Sequence, residues 1–151
     1  MVDHRLLAER IVTGMNAKDY SIFEKYFTED AIDIYPQSGE LVRGRANRRW
    51  IIENYPGSDP AAPRIEAASL ETRPGDGFKV VAPTYAIVLV EGGGTRGTIT
   101  LRTAYPDGST WWIIILYELR ADLICKSTTF FAPEFPPPEW RAGHVERMPA
   151  R

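Results

Sequence analysis

The chain has 151 residues, 44% hydrophobic and 25% charged, with a net charge of −2. That is the size of one domain with a core of its own, and no basic field points to nucleic acid. A single cysteine, Cys125, excludes an intramolecular disulfide and suits a reducing cytoplasm. The N-terminal segment "MVDHRLLAERIV" interrupts its apolar residues with charges, so it does not read as a signal peptide, and no apolar run is long enough to span a membrane.

"VDHRLLAERIVTGMNAKD" predicts a helix capped by Asp3, with Leu7, Ile11 and Met15 every fourth residue. "DYSIFEKYF" predicts a second, short helix, with Ser21 and Asp19 competing to cap it. "DAIDIYP" is a short strand stopped by Pro36 and a "QSGE" turn. "GRANRRWIIENYPG" is a third helix, its inward face expected to include Ala46 and Trp50. A Pro-rich linker follows. "RIEAASLETR" reads as a strand, and "FKVVAPTYAIVLVE" as a β-branched strand with Pro83 at a bulge or an edge. "GGGTRG" is a loop without phosphate-loop spacing. "TITLRTAY", "STWWIIILYELR" and "LICKSTTFF" are strands joined by turns at Asp107-Gly108 and Ala121-Asp122. Three helices followed by a meander of long antiparallel strands give an α+β layout.

The strand "TWWIIILYELR" is apolar on both faces, so both must be covered. Two-residue turns would place Ile99, Leu101, Thr103 and Tyr105 on one face with Trp112, Ile114 and Leu116, and with Cys125, Ser127, Thr129 and Phe131. That face suits a core shading into a pocket. Trp111, Ile113, Ile115, Tyr117 and Phe130 would then form an outer patch larger than monomers usually expose, which predicts a homodimer packed sheet to sheet. A one-residue slip in either turn would exchange the faces.

The block "YELRADLICKSTTFFAPEF…PEWR" resembles SnoaL-like proteins of the nuclear transport factor two-like superfamily, and "FTEDAIDIYPQSGELVRGRANRRWIIENY" resembles that superfamily's strand-turn-helix segment. The resemblance implies a cystatin-like α+β barrel: a cone-shaped, curved antiparallel sheet wrapped around three N-terminal helices and a deep pocket. One domain would span 1–132, with a Pro-rich arm of the same domain over 133–151 anchored by Phe135 and Trp140. The superfamily includes cofactor-free polyketide cyclases, isomerases, epoxide hydrolases and dehydratases, and also non-catalytic binding domains.

Several of those chemistries lack their residues here. Tyr35 stands before Pro36, where the ketosteroid isomerases carry their base, and Ile114 falls near their second acid. No Arg with two Asp residues shares one strand face. The histidines are His4 and His144, near the two ends of the sequence. The candidate base is Asp33, which shares parity with Tyr35; burial beside aromatics would bring it toward a useful range. Tyr35 would donate to a ligand carbonyl or enolate. Trp50, Thr103, Tyr105, Trp112, Ile114, Ser127, Thr129 and Phe131 would line the pocket. The run Arg43, Arg45, Arg48 and Arg49 reads as a solvated helix face. No metal-ligand spacing occurs, and no cofactor is called for. Two functions fit: a cofactor-independent isomerase, cyclase or lyase acting by proton abstraction next to a carbonyl on a small apolar cyclic or polyketide-like molecule, or a dimeric, non-catalytic domain holding a hydrophobic ligand.

Overall fold

The computed structural model describes residues 1–55, 84–105 and 108–149. The expected strand over 64–73, and the first part of the next one with Pro83, lie outside those residues. Helix α1 (His4–Ala17) starts where Asp3 accepts the Leu6 backbone N–H at 3.0 Å, and ends where Lys18 turns left-handed. Helix α2 (Ile22–Tyr26) follows. Ser21 stands at its N-cap without a side-chain bond to the helix; its N–H and hydroxyl both donate to Asp19 instead.

Strand β1 (Phe27–Tyr35) turns into β2 (Glu40–Arg43), a short strand that the Pro-Gly turn signals conceal in the sequence. Helix α3 (Arg45–Glu53) returns across β1. Strands β3 (Thr84–Gly93), β4 (Arg96–Ala104), β5 (Thr110–Arg120) and β6 (Leu123–Pro133) form the long meander. The six strands make one curved, unclosed sheet in the order β2-β1-β6-β5-β4-β3. Its pairings are antiparallel except one: β1 runs parallel to β6, which closes the N-terminal hairpin onto the meander.

The core lies between α1, α2 and the concave face, around Leu7, Ala8, Phe23, Phe27, Leu101 and Ile113. Two amides tie the cone together. Asn16 pairs with both backbone groups of Tyr85 at 2.8 and 2.9 Å, fixing α1 to β3. Gln37 does the same to Phe131 at 2.5 Å each, holding the β1–β2 turn against β6. Each supplies a strand backbone with the reciprocal bonds a neighbouring strand would have made.

The central strand faces the opposite way from the expectation. Tyr105 N–H donates to the Ser109 carbonyl and Gly108 N–H to the Tyr105 carbonyl, so three positions, not two, separate the paired residues. Leu101 therefore sits opposite Ile113, and Thr103 opposite Trp111. On the other side the two-residue turn forms, with Ala121 and Asp122 both at positive φ and Arg120 paired with Leu123. A bulge at Cys125 then shifts the register by one, putting Ser127 opposite Tyr117 and Phe131 opposite Ile113. Each slip flips β5 relative to a neighbour. Trp111, Ile113, Ile115 and Tyr117 thus face the helices, with Ile113 only 3% and Tyr117 2% exposed. Trp112, Ile114, Leu116 and Phe130 form the convex face, where Ile114 is 40% exposed.

Beyond β6 the chain runs extended to a 3₁₀ turn at Glu139–His144, as its prolines require. Glu134 pins the start of this arm through an ion pair with Arg102 at 2.8 Å. The expected anchors do not anchor it within the monomer: Trp140 is 84% exposed and Phe135 is exposed as well.

Candidate functional site

Strand parity turns Asp33 and Tyr35 to the concave side, and the parallel register sets Asp33 beside Ser127. Asp33 is 4% exposed. Its Oδ1 accepts from Ser127 Oγ at 2.7 Å and Thr129 Oγ1 at 3.2 Å. Its Oδ2 forms an ion pair with Nη1 of Arg48 on α3. The same Arg48 nitrogen donates to the Tyr35 hydroxyl at 2.6 Å, and the guanidinium lies 5.7 Å from the Tyr35 ring centre. A buried carboxylate needs a paired cation, and Arg48 supplies it.

This cluster borders a cavity of about 490 Å³. Tyr35, Arg48, Ser127 and Thr129 form its polar wall; Ile52, Leu101, Ile113, Ile115 and Phe131 form much of the apolar remainder. Tyr55, Tyr85, Tyr105 and Tyr117 add four more aromatic rings, and Ser38 and Glu40 complete the polar lining. The Tyr35 and Phe131 rings lie 5.6 Å apart and tilted, and Tyr105 meets Trp111 edge-on at 5.9 Å. Burial raises the Tyr35 and Tyr85 phenols well above their usual range, so both stay protonated donors. Burial lowers the Arg48 guanidinium to about 10, which leaves it charged at neutral pH.

Several residues expected at the pocket lie elsewhere. Trp50 is 64% exposed, because the inward row of α3 is Arg45, Arg48 and Ile52 rather than Ala46 and Trp50. Trp112 and Ile114 are on the convex face because of the β5 register. Thr103 is buried on the concave face, but its hydroxyl has no hydrogen-bond partner among the described residues and does not border the cavity. Tyr105, Ser127, Thr129 and Phe131 do border it. Asp33 lies behind the wall rather than in it.

Sequence reasoning missed Arg48, Tyr117 and His4. Arg48 sits in an arginine run, but an inward-facing Asp33 already demanded a buried cation, and α3 is the segment that folds back over β1. Its neighbours take other tasks. Arg45 Nη1 donates to the Phe27 carbonyl at 3.0 Å, and Arg49 pairs with Glu24 and Glu53. His4 packs into the core at the far end of α1, 2.6 Å from the Tyr117 hydroxyl. The glycines of "GGGTRG" make room for this contact: a Cβ on Gly92 would stand 2.6 Å from His4 Cγ, and one on Gly97 would overlap the Tyr117 hydroxyl.

Among the described residues no group of His, Cys, Asp and Glu is placed to hold a metal ion, and no helix is long and apolar enough to cross a membrane.

No family model matches this chain, and no curated protein is similar to it in sequence. Solved structures match its fold. A putative ketosteroid isomerase from Kribbella flavida superposes with a TM-score of 0.72 at 20% identity, covering 97% of this chain and 90% of its own. An NTF-2 like protein of unknown function from Burkholderia xenovorans gives 0.71 at 22% identity, covering 95% and 94%. A more distant match is a Mycobacterium tuberculosis LEH-like epoxide hydrolase, with a TM-score of 0.56 at 9% identity over 83% and 79%. With its helices inside a curved six-stranded sheet and a cavity between them, this chain has the cone fold of the nuclear transport factor two-like, ketosteroid isomerase-like proteins.

Proposed function

We propose that this chain is a cofactor-independent, SnoaL-like pocket protein that takes up a small, largely apolar molecule and polarises a carbonyl on it. One observation carries the reading: Tyr35 already accepts a hydrogen bond from Arg48 at 2.6 Å, at the wall of the cavity. Its own proton is then free to be donated to a ligand oxygen, and the charged donor behind it strengthens that bond. Asp33 neutralises Arg48, so the polar wall favours a neutral carbonyl over a carboxylate. The apolar remainder of the cavity suits a compact cyclic or polyketide-like skeleton.

The chemistry that fits is proton abstraction next to the carbonyl, as in an isomerase, cyclase or lyase. Charge would develop on the ligand oxygen, where Tyr35 is already placed to meet it. In this reading Asp33 is not the base. It accepts from Ser127 and Thr129 and is ion-paired with Arg48, and so holds the guanidinium in place. The engaged carboxylate is also the observation that favours the second reading, a binding domain without turnover.

The convex face supports a dimer packed sheet to sheet, now through Ile114, Leu116, Phe130 and Leu89, all exposed.

The test uses 2-tetralone and its carbonyl-free analogue tetralin. Calorimetry should show Tyr35→Phe weakening 2-tetralone about tenfold and leaving tetralin unchanged. Equal losses for both would overturn carbonyl recognition. NMR in D₂O should show the bound ketone exchanging its α-protons faster than in buffer. Binding without exchange would select the non-catalytic reading.

A further inference from the structure

Proton abstraction beside a carbonyl held at Tyr35 needs a base close to Tyr35, and Asp33 is bound to Ser127, Thr129 and Arg48 instead. Among the described residues one carboxylate borders the cavity, that of Glu40. Glu40 begins β2, directly opposite Tyr35 in the antiparallel ladder with β1. Parity fixes the face it takes. Two residues on, Val42 lies opposite the inward-facing Asp33 and is 8% exposed. Glu40 shares that face with Val42, while Leu41 between them is exposed on the other. Directly opposed residues of an antiparallel pair have Cβ atoms about 4.5–5.5 Å apart. The Glu40 stem and the Tyr35 ring therefore leave the sheet side by side, and both border the same cavity.

Three further observations suit a base. The Glu40 carboxylate has no ion pair or side-chain hydrogen bond among the described residues, so its lone pairs are available. Its charge reaches the Tyr35 hydroxyl: burial first, then Tyr85 and Glu40, raise that phenol. The turn that carries Glu40 is fixed. Gly39 N–H donates to the Tyr35 carbonyl at 2.9 Å, and Gln37 ties the turn to both backbone groups of Phe131. A fixed backbone thus presents an exposed carboxylate at the cavity mouth, where it can trade its proton with water between turnovers.

We propose that Glu40 is the catalytic base of this cavity, removing the proton from the carbon next to the carbonyl that Tyr35 holds. This rests on the carbonyl-polarising reading of Tyr35. The α-carbon is two bonds from the carbonyl oxygen, so a donor and a base on opposed ladder positions serve the same ligand. The Glu40 carboxylate takes the α-proton and becomes a neutral acid. The electron pair of the broken C–H bond forms the carbon–carbon double bond of the enolate. The carbonyl π pair moves onto the oxygen, which keeps the Tyr35 hydrogen bond. Glu40 loses its charge as the ligand oxygen gains one, so two anions never face each other across the site. Return of the proton to the same or another carbon restores Glu40, and no co-reactant is consumed.

Glu40→Gln removes the basicity and keeps the size, at an exposed position. With 2-tetralone as probe, calorimetry should show this variant binding within about twofold of wild type, while α-proton exchange in D₂O falls about 100-fold or more. Glu40→Asp keeps a carboxylate on a shorter stem and should retain more exchange than Glu40→Gln. Exchange near the wild-type rate in Glu40→Gln overturns the proposal. So does weaker binding with the exchange rate of the bound ketone unchanged, which would make Glu40 a part of the wall and no base. A wild-type protein that binds the ketone without exchanging it overturns it too, and leaves the Tyr35 carbonyl contact standing. Failure of the wild-type protein to bind 2-tetralone removes the carbonyl-polarising reading, and this proposal with it.

Discussion

Gly97 lies directly opposite Tyr117 in the β4–β5 ladder, and the absent side chain of the glycine is the space that the tyrosine hydroxyl occupies. Gly92 stands in the same relation to His4. A methyl group at either position forces the His4–Tyr117 pair to move. Both rings are buried, so little room exists for relaxation. Gly97→Ala should therefore destabilise the fold by about 1–3 kcal/mol, read as a lower urea midpoint at unchanged slope. Gly93→Ala, whose methyl group meets none of the described residues within 4 Å, is the matched control and should cost far less.

The Asp33–Arg48 pair is buried on both sides, at 4% and 16% side-chain exposure. Removing one member leaves the other charge without its partner. Arg48→Met and Asp33→Asn should each cost about 3–5 kcal/mol in chemical denaturation. The double variant should lose clearly less than the sum, because neither charge is then stranded. Additive losses would mean that the two side chains do not act as a pair.

Thr103 is fully buried, and its hydroxyl has no hydrogen-bond partner among the described residues. Valine keeps the shape and removes the unsatisfied group. Thr103→Val should raise stability by about 1 kcal/mol, seen as a higher Tm. A lower Tm would show that the hydroxyl has a partner in solution, such as an ordered water.

Burial raises the phenols of Tyr35 and Tyr85 and pushes Tyr117 up to about 12. In the unfolded chain a tyrosine ionises near its ordinary value of about 10. Between these values the folded state binds more protons than the unfolded one, so stability falls as pH rises. The stability these groups contribute is complete below pH about 10 and is lost as pH climbs through about 12 for Tyr117. Thermal melts across this range should show the decline, and Tyr117→Phe should flatten part of it.

The convex face offers Ile114 and Leu116 to a second copy of the chain. Charge at the centre of that patch would be desolvated on association. Ile114→Glu with Leu116→Glu should leave the fold intact and convert a dimer to monomer by native mass spectrometry. A wild-type monomer, or a dimer indifferent to both substitutions, would dismiss the convex face as an interface.

Much of this architecture was legible in the sequence because local chemistry controls it. Asp3 caps α1, the prolines keep the arm extended, and Ala121-Asp122 supplies the left-handed pair a tight hairpin needs. Alternation along β1, β4 and β6 turned Asp33 with Tyr35, Leu101 with Thr103, and Ser127 with Thr129 to the concave side. What tertiary structure alone decided is the face of β5 and the partner of Asp33. A strand's side chains alternate with a period of two, so one extra position at the Gly108 turn and one bulge at Cys125 each exchange its faces. "TWWIIILYELR" is apolar on both faces, so its composition could not choose between them. Arg48 was hidden for a related reason: four arginines within seven residues look uniformly solvated until α3 folds back over β1, and the buried charge of Asp33 selects the one that lies opposite.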